Sequence, residues 1–400
     1  MGARPATHYM NADFDLGLRP RPDWKNDAVL ERQVRELTLQ ALLGADEGDA
    51  AMLRVPVAGA YLDYLARRGV PVPRPLLHPG IDRGSVFRPY GWSREAMALN
   101  RRHEVPEDHP APETVERINR RSFGLALEAE LFPEGPRAEI VESVDGLERL
   151  LADARPGSEW VLKAEHGNAG LANRRVGGGA LSERDRRFAA GRLAEDDRLA
   201  VEPWLPRERD WCVVFEAPFA PESARIHEAV NTRDGSPVGA LFEPRPSIPP
   251  DARARLEDAA EAVAASLIRA GYFGPVCMDA FTWRDGGASR LRPLVDLNCR
   301  RSLSDGPYRL WRRLCPERTV YHRFFSRRKL SFPATLDEAV EALGESGFRG
   351  GENRGVLLAS PLSYGERGER APLKLAVLFA GADRKEALSL ETGFRSRFEK

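Results

Sequence analysis

The chain has 400 residues, and a typical domain size of about 150 residues predicts two or three domains. Lysine and arginine together number 60, as do aspartate and glutamate, so the formal net charge is zero. This balance argues against a nucleic-acid or membrane-surface binder, because such proteins usually carry an excess of basic residues. No apolar run approaches the ~20 residues needed to cross a bilayer, and no secretory signal is visible at the N-terminus.

Residues 1–110 are predicted to form a small β/α domain. Apolar residues recur at helical spacing in three segments, and one short apolar run has the length of a strand. The helices are predicted over 27–43, 58–68 and 92–102, and the strand over 51–57. The stretch from Pro79 to Gly91 is predicted to be irregular, and the three prolines of VPEDHPAP at 105–112 indicate a linker.

Residues 111–205 are predicted to form a second unit. One helix is predicted over 114–131, and a shorter helix over 144–154 has Ser143 as its N-cap. The strand WVLKA at 160–164 carries Lys163 and runs into the small-residue loop EHGNAG at 165–170. Further elements of this unit are strands over 172–176 and 199–205 and a helix that begins after Ser182.

Residues 206–330 are predicted to form a third unit, and residues 331–400 are expected to pack on it. The third unit contains strands over 211–217, 225–231 and 238–242, a helix over 251–270, and a hairpin of strands 276–283 and 290–297. Asp285-Gly286-Gly287 supplies the turn of this hairpin. The last part adds strands over 355–361 and 373–379 and a helix over 383–398.

The predicted hairpin carries polar side chains that indicate a metal site. Asp296, Asn298 and Arg300 alternate along one strand and therefore share a face, and Asp279 interrupts an otherwise apolar partner strand. Neighbouring strands lie ~5 Å apart, so Asp279 is expected beside Asp296, where two carboxylates repel unless a cation separates them. Hard oxygen donors favour Mg²⁺ over zinc, and Arg300 would hold an anion such as phosphate. The alternative is a solvent-facing hairpin with an incidental Asp–Arg pair.

Lys163 is a candidate phosphate ligand. Only six of the 60 basic residues are lysines, and Lys163 is the single lysine between Lys25 and Lys329. A compact ammonium and a planar guanidinium are not interchangeable at a tight phosphate site, although chance placement remains the alternative. The glycine loop that follows could cradle phosphates with its backbone amides. No Walker A, dinucleotide-binding, protein-kinase, GxSxG or HExxH motif occurs.

The order of these pieces over residues 119–302 resembles the ATP-grasp superfamily, of the carboxylate–amine ligase type. The pieces are the lysine strand with its small-residue loop, VEPWL at 201–205, Asp210, GYFGPVCMD ending at Asp279, and VDLNCR ending at Arg300. The resemblance implies an α/β fold in which two subdomains clasp ATP after a small β/α N-terminal domain. Arginine at position 121 stands where the family usually has a lysine, and Asp296 where glutamate is commoner.

The resemblance also implies a role for each matching residue. Lys163 and Arg300 would be catalytic, and Arg300 would neutralise the transferring phosphoryl group. Two Mg²⁺ ions, or Mn²⁺, would be held by Asp279, Asp296 and Asn298. The nucleotide would be bound by Arg121, Lys163, the lid residues His166, Gly167, Asn168 and Gly170, the adenine hinge Glu202, Trp204 and Leu205, and the ribose ligand Asp210.

The implied reaction is ATP-dependent joining of a carboxylate to an amine through an acyl phosphate. The alternatives are a kinase that phosphorylates a hydroxyl group and a non-catalytic nucleotide-binding or partner-binding module. Substrate candidates are Arg225 and His227 on one strand and Arg301 and Ser302 after the metal strand, although His227 also fits an ordinary sheet histidine.

Partners and compartment are the remaining expectations. The basic aromatic stretch 308–329 would hold an acidic substrate or partner, or form an amphipathic helix at a domain or homodimer contact. Four cysteines without a CxxC pair favour a reducing cytoplasm. Small-molecule or peptide carboxylates and amines are the expected substrates, with neither nucleic acid nor a membrane as a partner.

Overall fold

A computed structural model of the chain describes residues 4–19, 27–82, 84–104, 108–155, 157–167, 173–232, 235–365 and 370–400. These residues form three β-sheets of four, four and eight strands with helices packed on their faces. In the described segments, no helix combines the length and the apolar character that a membrane crossing requires.

The N-terminal sheet is parallel and has the strand order β3-β2-β1-β4. The segment from Pro79 to Gly91, predicted to be irregular, contains strand β4, and β1 was not predicted either. The strands are β1 (Ala6–Tyr9), β2 (Ala50–Leu53), β3 (Arg74–Leu77) and β4 (Val86–Pro89). The helices are α1 (Phe14–Gly17), α2 (Ala28–Leu37), α3 (Gly59–Ala66) and α4 (Arg94–Arg102).

The second sheet is small and antiparallel, with the order β5-β8-β6-β7. Its core contains Leu147, Leu162 and Val201. The caps follow the sequence prediction, because the Ser143 and Ser182 hydroxyls accept hydrogen bonds from the first turns of the two helices. The elements are β5 (Glu139–Val141), β6 (Glu159–Ala164), β7 (Asn173–Gly177), β8 (Leu199–Pro203), α7 (Val144–Ala152) and α8 (Glu183–Asp196).

The single helix predicted over 114–131 is wrong, because the chain breaks into α5 (Pro112–Ile118) and α6 (Arg121–Leu131). At the break, the Arg121 amide donates to the Glu165 carbonyl at 3.0 Å, and the Asn119 side chain accepts from the Cys299 amide at 2.9 Å. These contacts replace hydrogen bonds that a continuous helix would make. They fix the start of α6 against both antiparallel sheets.

The third sheet is antiparallel and has the order β13-β12-β9-β10-β11-β14-β16-β15. The hairpin turn is as predicted, with positive φ at Gly286 (54°) and Gly287 (97°). The strands are β9 (Arg207–Ala217), β10 (Arg225–Asn231), β11 (Pro237–Phe242), β12 (Gly274–Asp285), β13 (Ala288–Asn298), β14 (Thr319–Ser326), β15 (Gly355–Leu358) and β16 (Lys374–Gly381). The helices are α9 (Pro250–Arg269), α10 (Asp305–Leu314), α11 (Leu336–Leu343) and α12 (Arg384–Phe398).

The basic aromatic stretch 308–329 is not one amphipathic helix. It contains most of α10 and then the whole of β14, which lies inside the large sheet between β11 and β16. Tyr321 and His322 are buried there. Aromatic and β-branched residues suit a buried strand, and the arginines beside them conceal that pattern in the sequence.

Candidate active site

The two faces of the large sheet have different partners. Residues such as Trp211, Val213 and Met278 pack in one apolar core with helix α9, and the residues that alternate with them point to the opposite face. The strand register puts Asp296, Asp279, Cys212 and His227 opposite one another across β13, β12, β9 and β10. This confirms that Asp279 lies beside Asp296. A second row contains Phe281, Asp210, Ala229, Ala240 and His322.

A cavity of about 280 Å³ lies over this second face. Its wall includes strand residues of both antiparallel sheets, together with Met10 and Tyr90, which directly follow β1 and β4 of the N-terminal sheet. The predicted site residues that line it are Arg121, Lys163, Gly167, Trp204, Asp210, His227, Asp279, Asp296, Asn298, Arg300 and Ser302. Most of the residues singled out in the sequence are therefore brought to one place.

Lys163 lies in a buried network of charges. Its ammonium group is 2.7 Å from one Glu202 oxygen, and Arg292 donates to the other Glu202 oxygen at 2.9 Å. Arg292 also makes two 2.6 Å hydrogen bonds to Glu128. Burial alone would raise the pKa of Glu202, but Lys163 and Arg292 lower it to about 2. The Glu202 carboxylate thus faces the lysine and does not line the cavity, and sequence reasoning missed Glu128 and Arg292.

Arg121 joins the start of α6 to the metal strand. Its guanidinium lies 3.2 Å from Asp296 and donates to the Ala164 carbonyl at 3.1 Å. In the predicted lid, Gly167 reaches the cavity, while His166 is buried and its ring is 3.2 Å from the Asp196 carboxylate. The lid predictions at Asn168 and Gly170 lie outside the described residues.

Asp279 is crowded by groups that oppose its ionisation. Burial, and then the neighbouring Cys277 and Asp296, raise the pKa of Asp279 well above its ordinary value. The Cys212 and Cys277 sulfurs are 3.3 Å apart, and each lies within 4.8 Å of an Asp279 oxygen. The facing carboxylates and the Asn298 amide oxygen fit the donor preference of Mg²⁺, which does not favour sulfur ligands. A divalent cation would relieve the crowding of negative charge.

Arg300 is oriented by a residue that sequence reasoning missed. Asp15, in α1 just after the first strand, accepts from Arg300 Nε at 2.9 and 3.1 Å through its two oxygens. Arg300 Nη2 donates to Asn298 at 2.9 Å, and the guanidinium lies 4.8 Å from the centre of the Tyr90 ring. No local motif marks Asp15, because its partner is 285 residues away in the sequence.

The predicted nucleotide-base residues lie at the junction of the two antiparallel sheets. Trp204 lines the cavity, and Arg175 and Arg207 stack on its ring at 4.4 and 5.3 Å. Leu205 packs against a cluster of Phe281, Trp283 and Val295. Asp210 lines the cavity and accepts from Arg207 at 3.0 Å.

The four substrate candidates divide into two pairs. His227 and Ser302 line the cavity, whereas Arg225 and Arg301 form ion pairs with Asp305. His227 Nε2 is 2.9 Å from the Ser304 hydroxyl, and its Nδ1 has no hydrogen-bond partner among the described residues. The two arginines therefore share one internal carboxylate, which Arg309 also contacts at 3.4 Å.

His322 should make stability depend on pH. Burial lowers the pKa of this imidazole from 6.5 to about 3 in the folded protein. Between these values the unfolded chain binds a proton that the folded chain does not, so stability falls as pH falls below 6.5. Between pH 6.5 and pH 5, the free energy of unfolding should fall by roughly 1.5–2 kcal/mol more in the wild type than in His322→Gln. Urea denaturation at the two pH values measures this difference, and parallel losses in both proteins would contradict it.

No family model and no curated protein matches the sequence. Solved structures do match across the chain. An ADP complex of N5-carboxyaminoimidazole ribonucleotide synthetase has a TM-score of 0.55 at 12% identity, covering 99% of this chain and 97% of its own. Biotin carboxylase from Campylobacter jejuni, in a β-γ-ATP complex, has a TM-score of 0.54 at 11% identity, with 99% and 92% covered.

A third similar structure is phosphoribosylamine–glycine ligase from Thermotoga maritima. Its TM-score is 0.53 at 10% identity, and the match covers 99% of this chain and 97% of that one. At identities this low, the structural similarity supports a conclusion about the fold alone. The chain has the ATP-grasp fold, with a parallel N-terminal sheet followed by two antiparallel sheets, as the sequence motifs predicted.

Proposed function

We propose that the protein is an ATP- and Mg²⁺-dependent ligase that activates a carboxylate as an acyl phosphate and joins it to an amine. The observation that carries this proposal is the convergence of Lys163, Arg121, Arg300 and the Asp279–Asp296 pair on one cavity. The similar structures are a synthetase, a carboxylase and a ligase, and two of them are complexes with ADP or a β-γ-ATP ligand. They support the same class of chemistry.

The charges around the cavity suit a bound triphosphate. Lys163 and Arg121 would contact its phosphates, and Trp204, Leu205 and Asp210 would meet the base and ribose. Asp279, Asp296 and Asn298 would hold Mg²⁺, which when bound neutralises phosphate charge and orients the phosphates. Residues 111–205 and 206–330 would be the two subdomains that clasp the nucleotide.

Arg300 would position the transferring group. Phosphoryl transfer depends on positioning and charge neutralisation more than on covalent help from the protein. A carboxylate oxygen attacks the γ-phosphorus and ADP leaves, and then the amine nitrogen attacks the acyl carbon, phosphate leaves and the nitrogen loses a proton. Arg300 is held by Asp15 before ligand arrives, so little reorganisation is needed at the moment of reaction.

The test is ADP formation by the full chain with MgATP and pooled carboxylates and amines, followed by hydroxylamine trapping. An acyl phosphate yields a hydroxamate that mass spectrometry identifies. A stable phosphoester with no hydroxamate would indicate a hydroxyl kinase instead. Failure to bind MgATP in titration calorimetry would overturn nucleotide chemistry altogether.

Asp15→Asn should lower ADP release roughly tenfold, because the asparagine keeps the shape but not the charge that orients Arg300. The urea midpoint, measured in parallel, separates positioning from a loss of stability. Asp46→Asn is the matched control, since Asp46 is an exposed partner of Arg313 at the protein surface. Equal ADP release by the Asp15→Asn and Asp46→Asn variants would show that Asp15 does not position Arg300.

A further inference from the structure

The cavity extends well beyond the proposed nucleotide site. It continues across the large sheet over β10, β11, β14 and β16, and its other wall is helix α2. We call this part the lateral arm. On the sheet side it is lined by the small residues Ala229, Gly239 and Ala240, and on α2 by Leu30, Val34 and Leu37, which share one helix face.

The lateral arm is long. The sheet order puts four strand spacings between β12, which carries Asp279, and β14, which carries His322. At ~4.8 Å per spacing, the arm reaches about 19 Å from β12. This length fits an extended molecule that lies perpendicular to the strands.

The lateral arm is almost uncharged. Among the described residues that line it, Lys374 on β16 is the one side chain that is ordinarily charged at neutral pH. Leu30, Val34, Leu37 and Phe324 supply apolar surface. A phosphate or carboxylate on the body of a ligand would find no partner along most of this surface, and burying it there would be costly.

Two buried imidazoles supply polar contacts, as do the amide side chains of Gln33 and Asn231. His227 and His322 are 4% and 1% exposed, and in the described part of the chain His227 Nδ1 and His322 Nε2 have no hydrogen-bond partner. Both rings line the cavity. From the register they lie two strands and one row apart, or roughly 10–12 Å. Their burial lowers the pKa of each to about 3, so both are neutral rings that suit a hydroxyl or amide group.

The end of the lateral arm nearest β12 borders a carboxyl group, whereas the opposite side of the site carries the Arg300 guanidinium. Moving inward from His227, the next groups in the row are Cys212 and the Asp279 carboxylate. Arg300 follows β13, on the far side of Asp296. A carboxylate substrate is therefore favoured beside Arg300, which leaves the amine on the opposite side of the Asp279–Asp296 pair, towards His227.

We propose that the lateral arm binds the amine substrate, and that this substrate is a primary amine on an extended, uncharged and largely apolar body with hydroxyl or amide groups. The proposal rests on the proposed ligase function. It specifies the substrate class: the amine carries no phosphate and no second charged group along its length.

The test uses simple probes with the full chain saturated with MgADP. Titration calorimetry compares n-octylamine with n-butylamine, with 8-aminooctanoate and with octanoate. Each added methylene strengthens burial, so n-octylamine should bind at least tenfold more tightly than n-butylamine. It should also bind at least tenfold more tightly than 8-aminooctanoate, because the carboxylate of that probe would be desolvated. Equal affinities, or tighter binding of octanoate, would overturn the proposal.

Two variants locate the binding site. Ala240→Leu fills the arm, and Leu37→Gln makes it polar at nearly constant volume, so each should weaken n-octylamine binding at least fivefold. Leu388→Gln is the control, because Leu388 is an exposed apolar residue on α12. Unchanged n-octylamine affinity in a folded Leu37→Gln protein would overturn the assignment even where Ala240→Leu fails to fold.

The two proposals fail in different ways. If the wild-type protein does not bind MgADP, that result counts against the nucleotide site itself. MgADP binding without any preference for n-octylamine would count against the lateral arm and leave the ligase proposal intact.

Discussion

Replacing Asp296 with asparagine should lower ATP turnover about 10²–10³-fold while the protein stays folded. Asp296 faces Asp279 across the hairpin and lies 3.2 Å from Arg121, so its charge serves both a cation and a phosphate-binding guanidinium. The amide keeps the size of the side chain and removes that charge. The change relieves crowding beside Asp279 but also removes the ion pair with Arg121, so the urea midpoint is measured in parallel to separate turnover from stability.

The same hairpin offers the control for this variant. Asp285 lies at the turn and forms an exposed ion pair with Arg290 at 2.6 Å. Asp285→Asn should leave turnover unchanged, since exposed ion pairs contribute little. Steady-state ADP release and the Mg²⁺ dependence of nucleotide affinity are measured for both. An Asp296→Asn protein with wild-type turnover and metal dependence would refute the metal site.

Replacing Arg292 with methionine should destabilise the protein by about 3–5 kcal/mol. The change leaves Glu128 without the guanidinium that makes two 2.6 Å contacts to it, and leaves Glu202 with Lys163 alone. These carboxylates are buried, and an unpaired buried charge is costly. Urea denaturation followed by circular dichroism measures the change.

Arg290→Met, two residues away on the same strand, is the matched control. Arg290 is exposed, so its replacement should change the free energy of unfolding by less than about 0.5 kcal/mol. Arg292→Lys should fall between the two, because it keeps the charge but loses the bidentate geometry. Similar urea midpoints for Arg292→Met and Arg290→Met would show that the buried network does not stabilise the fold.

The hairpin that carries the metal residues could be predicted because its signals are local. Alternation sorts Asp296 and Asn298 onto one face, and two successive glycines allow the positive φ angles of the turn. The turn alone would pair Asp279 with Leu294; a register shift between Asp279 and Phe281 pairs it with Asp296 instead, and no local signal in the sequence marks that shift. The ATP-grasp fold could be predicted from the order of such local motifs along the chain.

The contacts that complete the site have no local signal. Arg292 and Glu128 are 164 residues apart, and Arg300 and Asp15 are 285 apart. The sequence has no proline or glycine at the break before Arg121, where the chain instead makes tertiary hydrogen bonds to Glu165 and Cys299. The arginines around β14 similarly conceal a buried strand. In each case the deciding partner comes from elsewhere in the chain.

The charge network around Arg292 also constrains how nucleotide could enter. Arg292 belongs to the large sheet, Glu202 and Lys163 to the small sheet, and Glu128 to α6, so one side chain joins three elements. Pulling the sheets apart would separate buried opposite charges, whereas rotating one sheet about this point preserves the ion pairs. Under the proposed function, nucleotide exchange would therefore need a motion that keeps these ion pairs, and a rotation centred near Arg292 would open the cleft most at the end farthest from that side chain.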